Sequence, residues 1–91
     1  VKIEWLPEAE RNRKSQLAYI AERNPRAAIK LGDAIEAAVA RLALHPESAR
    51  PGRVPGTREL VVPPFVIVHR SDRDSVVIIR LLHGRQEWPG S

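Results

Sequence analysis

The spacing of apolar residues changes once along this chain, across residues 45–56, and that change limits the fold more than any other feature. Before it, Ala28, Leu31, Ile35, Ala38, Val39 and Leu42 recur at three- and four-residue steps up to Leu44, the spacing of one helix face. After it, TRELVV, FVIVHRS and SVVIIRLLH read as three strands. The stretch between, HPESARPGRVPG, holds three prolines and two glycines without periodicity and reads as a loop. Pro63-Pro64 and Asp72-Arg73-Asp74 join the strands. Connections so short require antiparallel neighbours.

Upstream, Val1, Ile3 and Trp5 alternate with Lys2 and Glu4 as in a short strand. Pro7 then sits at a helix first turn, with Glu8 and Glu10 placed favourably for the helix dipole. This helix is expected to run to about Arg23, with a thin apolar face of Ala9, Leu17, Ile20 and Ala21. Asn24-Pro25 stops it and starts the next, because proline removes a helical donor while asparagine caps. So short a link makes an antiparallel helical hairpin, and Gly32 within the second helix marks an expected close crossing. The expected architecture is α+β in the order β-α-α-β-β-β: an N-terminal strand on a sheet edge, the hairpin, then a three-stranded antiparallel meander. Residues 1–91 form one domain.

Unbroken alternation through both turns would put Arg58, Leu60, Phe65, Ile67, His69, Val77, Ile79, Leu81 and His83 on one sheet face, against the helices. Glu59, Val61, Val66, Val68, Arg70, Val76, Ile78, Arg80 and Leu82 would take the other. Arg80, a charge inside an apolar strand, is costly to bury unless paired. Glu59 is the intramolecular candidate, and a partner's carboxylate is the other.

At 91 residues only about 60–65% of the unfolded surface is buried on folding, so a partner is expected to contribute stability. Cysteine is absent, which removes disulfides and thiolate metal sites. His45 and His69 lack the spacing of metal ligands, and neither a metal nor a cofactor is expected. No apolar run reaches the roughly 18 residues of a membrane span, and the opening residues lack a signal-peptide pattern, so a cytoplasmic protein without membrane contact is expected. The net charge is +4, and arginine supplies twelve of the fifteen basic residues, which points to acidic partners gripped through planar guanidinium groups. A generic nucleic-acid module fits the charge, but one Phe and one Tyr are too few for an RNA-stacking sheet. A plain interaction domain is the third class.

The order of elements, together with "GRVPGTRELVV", "VIVHR" and the closing "VVIIRLLHGRQEWP", resembles the RelE/ParE superfamily of bacterial type II toxin–antitoxin modules. The likeness is closest to the ParE-like branch, whose members often end in a His-x-Arg-Arg-x-aromatic-Pro pattern. It spans nearly the whole chain and is most specific over the last 40 residues. It implies a toxin that arrests growth when free and stabilises the plasmid or chromosomal segment that carries it. Its implied partners are a cognate antitoxin, operator DNA reached through that antitoxin, and either DNA gyrase or the ribosome as target.

Two mechanisms follow from the resemblance. A RelE-like mRNA endoribonuclease needs a base and a phosphate grip; His83 would be the base, with Arg58, Arg80 and Arg85 on the phosphate. Such nucleases carry a basic residue early in the middle strand, where this chain has Val66, and the single tyrosine, Tyr19, lies in the first helix. A non-enzymatic, ParE-like poison of DNA gyrase is therefore the favoured reading. Its target contacts are expected at His83, Arg85, Gln86 and Trp88. The plainer readings are that His83 is a hydrogen-bonded strand end and that Trp88-Pro89 lies flat on the fold. Antitoxin is expected on the hairpin at Leu31, Ile35 and Leu42, and at Arg58, Arg70 and Arg80 through its carboxylates.

Overall fold

The computed structural model describes residues 1–89. Strand β1 (Lys2–Trp5) leads into helices α1 (Pro7–Arg23) and α2 (Pro25–Leu44). A two-residue strand β2 (Arg50–Pro51) then precedes β3 (Arg58–Val62), β4 (Phe65–Ser71) and β5 (Ser75–His83). The hairpin turns on one residue: the Asn24 backbone N–H donates to the Ile20 carbonyl at 2.8 Å, and its side-chain oxygen accepts from the Ala27 N–H at 3.1 Å. Asn24 thus closes α1 and caps α2. A Cβ built on Gly32 would sit 3.7 Å from Leu17, ordinary van der Waals contact, so the helix crossing does not require glycine there.

The five strands form one sheet in the order β1-β5-β4-β3-β2. β1 joins the edge as expected, but parallel to β5, so the sheet is mixed rather than purely antiparallel. The helices make this possible, since a parallel neighbour needs a long crossover and α1 with α2 supply part of one. β2 falls within the stretch that reads as loop: two residues, one of them Pro51 and followed by Gly52, carry no periodic signal, and the strand exists only by pairing with Arg58 and Glu59.

The register of β5 departs from strict alternation. Val68 lies opposite Arg80, but His69 lies opposite Ile78, so Ile79 is the extra residue of a β-bulge. The bulge corrects the expected faces. Ile78, rather than Ile79, joins Phe65, Ile67 and Leu81 in the core beneath the helices, with Ala9, Ile35 and Ala38 opposite. Val77 pairs with Arg70 on the outer face, not the inner one. Unbroken alternation from Ile78 would have driven the Arg80 guanidinium into the core; one extra residue turns it outward. Val66, Val68 and Leu82 form a second apolar cluster on that outer face, and Trp88 packs on it.

The outer sheet face and the C-terminal knot: candidate functional site

The outer face carries charge in two arrangements. Glu59, 2% exposed, accepts from the Arg53 backbone N–H (2.9 Å) and Nε (3.0 Å) and from Arg50 Nη2 (3.1 Å). Burial alone would raise its carboxyl, but the hydrogen bonds from Arg53 and Arg50 outweigh it and hold the group below the usual range. Glu59 is therefore committed to the loop that carries β2, not to Arg80. Arg80 instead bonds the Ile79 carbonyl through Nη1 at 2.9 Å and lies over the Trp88 ring, 5.7 Å from its centroid. Arg70 is exposed on the same face. Arg58 is not: it lies opposite His69 on the helix side and donates to the Ala49 carbonyl at 2.9 Å.

Beyond β5 the chain turns back in a tied knot. The Gln86 N–H donates to the His83 carbonyl at 2.9 Å, and the Gly84 N–H to the Pro64 carbonyl at 2.8 Å. Gln86 Oε1 accepts from the His83 N–H at 2.7 Å and from Gln16 Nε2 of α1 at 3.1 Å. His83 Nδ1 accepts from the Arg85 N–H at 3.3 Å. Gln86, expected at the target interface, is exposed and also ties β5 to α1. Trp88 packs inward over Val66, Val68 and Leu82, the flat-lying arrangement, rather than standing out as an anchor. Arg85 stays exposed.

The residues named for a nuclease do not converge. His83 pairs with Phe65 and Arg58 with His69, so the two are separated by four residues along the sheet, about 13 Å, before the width of the strands is added. Arg80 is on the opposite face from both. Val66, where a nuclease would place a cation, is buried in the outer cluster. The hairpin set divides as well. Ile35 and Leu42 are fully buried, so in this fold they offer no surface to an antitoxin; only Leu31 is half-exposed. Most of the apolar face of α2 is spent on the protein's own core.

The Arg50–Glu59–Arg53 cluster and Asn12 were missed by sequence reasoning. Asn12 accepts from the Leu81 N–H at 3.2 Å, where β5 runs on past the end of β1. Neither carries a motif, since each depends on contacts that only the folded sheet creates. His69 is completely buried with neither ring nitrogen hydrogen-bonded among the described residues. Burial, then the neighbouring Arg58 charge, push its pKa down to about 4. The described residues include neither an enclosed pocket nor a cluster of metal-ligating side chains, and no described helix is long and apolar enough to cross a membrane.

Residues 3–88 match the family model for the ParE toxin of the type II toxin–antitoxin system parDE. The chain is 41% identical over 90 residues to the toxin-designated protein Y4kP of Sinorhizobium fredii, covering 97% of this chain and 93% of that protein. It is 35% identical over 83 residues to toxin RelE1 of Caulobacter vibrioides, covering 87% and 88%. A solved chain of the chromosomal ParDE TA system from P. aeruginosa shares the fold, with a TM-score of 0.80 at 23% identity over 91% of this chain and 95% of that one. The family match over nearly the full length, on a fold of a strand, a helical hairpin and a meander, means that this chain belongs to the ParE toxin family of type II toxin–antitoxin systems.

Proposed function

We propose that this protein is the growth-arresting member of its toxin–antitoxin pair, acting in the cytoplasm on DNA gyrase as a non-enzymatic poison. The observation that carries this reading is the dispersal of the nuclease set: His83 and Arg58 at opposite ends of the inner face, Arg80 on the outer. General acid–base chemistry on one phosphate needs groups within hydrogen-bond reach of the same atoms. Arg85, exposed at the end of a turn fastened on both sides, is well placed instead for a directional contact with a large target.

The silencing partner is a cognate antitoxin, through which the pair reaches operator DNA. Its acidic, extended segment lies along the outer face by Arg70 and Arg80, where the exposed Val61 on β3 adds an apolar contact. A helix of the same antitoxin meets the hairpin at Leu31. Two reactions test the target. Purified toxin with gyrase and supercoiled plasmid is expected to accumulate cleaved DNA, while mRNA on programmed ribosomes stays intact. Codon-specific mRNA cleavage that disappears in His83→Ala overturns this choice of target.

A further inference from the structure

We infer that β1 is a self-complementary edge through which two copies of this chain join antiparallel into one continuous ten-stranded sheet. β1 is the end strand of the sheet, so one side of its backbone faces no other strand among the described residues. The Lys2 N–H donates to the Asp74 carbonyl and the Leu6 N–H to the Ile78 carbonyl, so even-numbered residues turn their backbone groups toward β5. By alternation, the N–H and C=O of Ile3 and Trp5 point away from the sheet. An unpaired edge of this kind is a template for another strand.

The occupant is specified by the side chains. A two-fold axis perpendicular to the sheet keeps helix sides together, so only residues of like parity face one another. Centring the pair on Ile3 sets Lys2 opposite Glu4 of the second copy, Ile3 opposite Ile3 of the second copy, and Glu4 opposite Lys2 of the second copy. The same register brings Val1, 57% exposed, opposite Trp5 of the second copy. Each facing pair of side chains is either apolar with apolar or acid with base, the Val1 ammonium being tied to the Ala43 carbonyl at 3.1 Å. Sliding by two residues one way opposes Lys2 with its own copy, and the other way opposes Glu4 with its own copy; like charges directly opposite are unfavourable. Lys2 and Glu4 are both exposed on the outer side, while Ile3 and Trp5 lean on the core from the inner side, so the edge is already held in place for pairing. Because the contact is one short strand per copy, well below the roughly 1,000 Å² of a stable interface, the dimer is expected to be weak and reversible, forming at micromolar concentrations and above.

Sedimentation of toxin made by cell-free synthesis, followed across a hundredfold concentration range, tests this. The parent is expected to move from monomer to dimer. Lys2→Glu alone and Glu4→Lys alone each place like charges opposite one another twice in the dimer, and each should weaken association about tenfold or more. The double variant Lys2→Glu/Glu4→Lys restores opposite charges in the same register and should recover the parent's dimerisation. Since both positions are exposed, circular dichroism of all three variants should match the parent, and a variant that fails to fold is replaced by Lys2→Gln or Glu4→Gln, expected to weaken association by a smaller factor. A monomer at every concentration, single variants that dimerise like the parent, or a double variant as weak as the singles overturns the proposal.

Discussion

Arg80 lies over Trp88 with its guanidinium carbon 5.7 Å from the ring centroid, so the charge that would be costly inside an apolar strand rests on the face of an aromatic ring. The Ile79 bulge turns the side chain outward, the Ile79 carbonyl takes one of its N–H groups, and Trp88 roofs the apolar patch beneath. Trp88→Ala removes packing on Val66, Val68 and Leu82 from a partly exposed site and is expected to cost about 1–3 kcal/mol. Arg80→Ala should cost less, and a double-mutant cycle in urea should return a coupling of about 0.5–1 kcal/mol. Zero coupling would mean that the two side chains only lie near each other.

His69 is neutral in the fold with a pKa near 4, against an ordinary value of 6.5. Between those values the unfolded chain binds a proton that the folded chain refuses, so stability is fully present above about pH 6.5 and falls as the solution is acidified toward pH 4. The loss from this group is about 3 kcal/mol, from a 2.5-unit difference. Glu59, whose folded carboxyl is held below its ordinary range, adds to the decline at still lower pH, because its stabilising charge is lost as pH falls through the folded value. Urea midpoints at pH 7.5, 5.5 and 4.5 measure the slope. His69→Leu should flatten it between 6.5 and 4.5 and leave the lower-pH decline in place.

Much of the fold is readable from local chemistry. The helix stripe from Ala28 to Leu42, the Asn24-Pro25 break, and the two short strand connections each announce themselves within a few residues. What escapes is what depends on distant neighbours. β1 pairs with β5 across more than 70 residues, and nothing in "KIEW" fixes whether that pairing is parallel. In "VVIIRLL" every candidate for the inner face is apolar, so an extra residue at Ile79 leaves no trace in the pattern and no glycine to mark it. The site suffers more for the same reason. Glu59 finds its arginines in the loop, and Gln86 finds Gln16 on α1, 70 residues earlier. The arginines can be counted in the sequence, and unbroken alternation already sets Arg80 on the face opposite Arg58 and His83; what only the folded sheet fixes is how far apart Arg58 and His83 lie along it.

Glu59 organises the β2 loop, and its removal should be felt there first. Glu59→Gln keeps the shape and one acceptor but loses the charge that meets Arg50 and Arg53. Both arginines are about half exposed, so solvent screening limits the loss to about 1–2 kcal/mol. Amide exchange should quicken at residues 50–57 ahead of the core strands. Uniform quickening across β4 and β5 would show that the cluster supports the whole sheet and not the loop.

Arg70 offers a test of the antitoxin surface free of folding effects, because its side chain is exposed at the end of β4. Arg70→Glu should weaken antitoxin binding by more than about 1 kcal/mol, more so at low salt, with the melting temperature of the free toxin unchanged. Ile35→Ala and Leu42→Ala should act differently. Each opens a cavity in the core at about 2–5 kcal/mol, so any loss of binding there follows the loss of fold.

The polar knot after β5 separates into side chains fastened by hydrogen bonds and the exposed Arg85, the proposed target contact. Gln86→Ala leaves the His83 N–H without its 2.7 Å acceptor and cuts the tie to Gln16; the site is exposed, so water replaces part of the loss and the cost is about 1 kcal/mol. Toxicity should fall only in step with that stability. Arg85→Ala breaks no fastening, since Arg85 contributes its backbone N–H to His83 and alanine retains it. Growth arrest in cells without antitoxin should therefore drop steeply for Arg85→Ala, while its melting temperature and its capture by antitoxin stay at parental values. Deleting residues 85–91, of which 90 and 91 lie outside the described residues, combines both effects and also strips Trp88 from the outer cluster. If Arg85→Ala arrests growth as the parent does while Gln86→Ala does not, the knot is a structural clasp and the target contact lies elsewhere on the molecule.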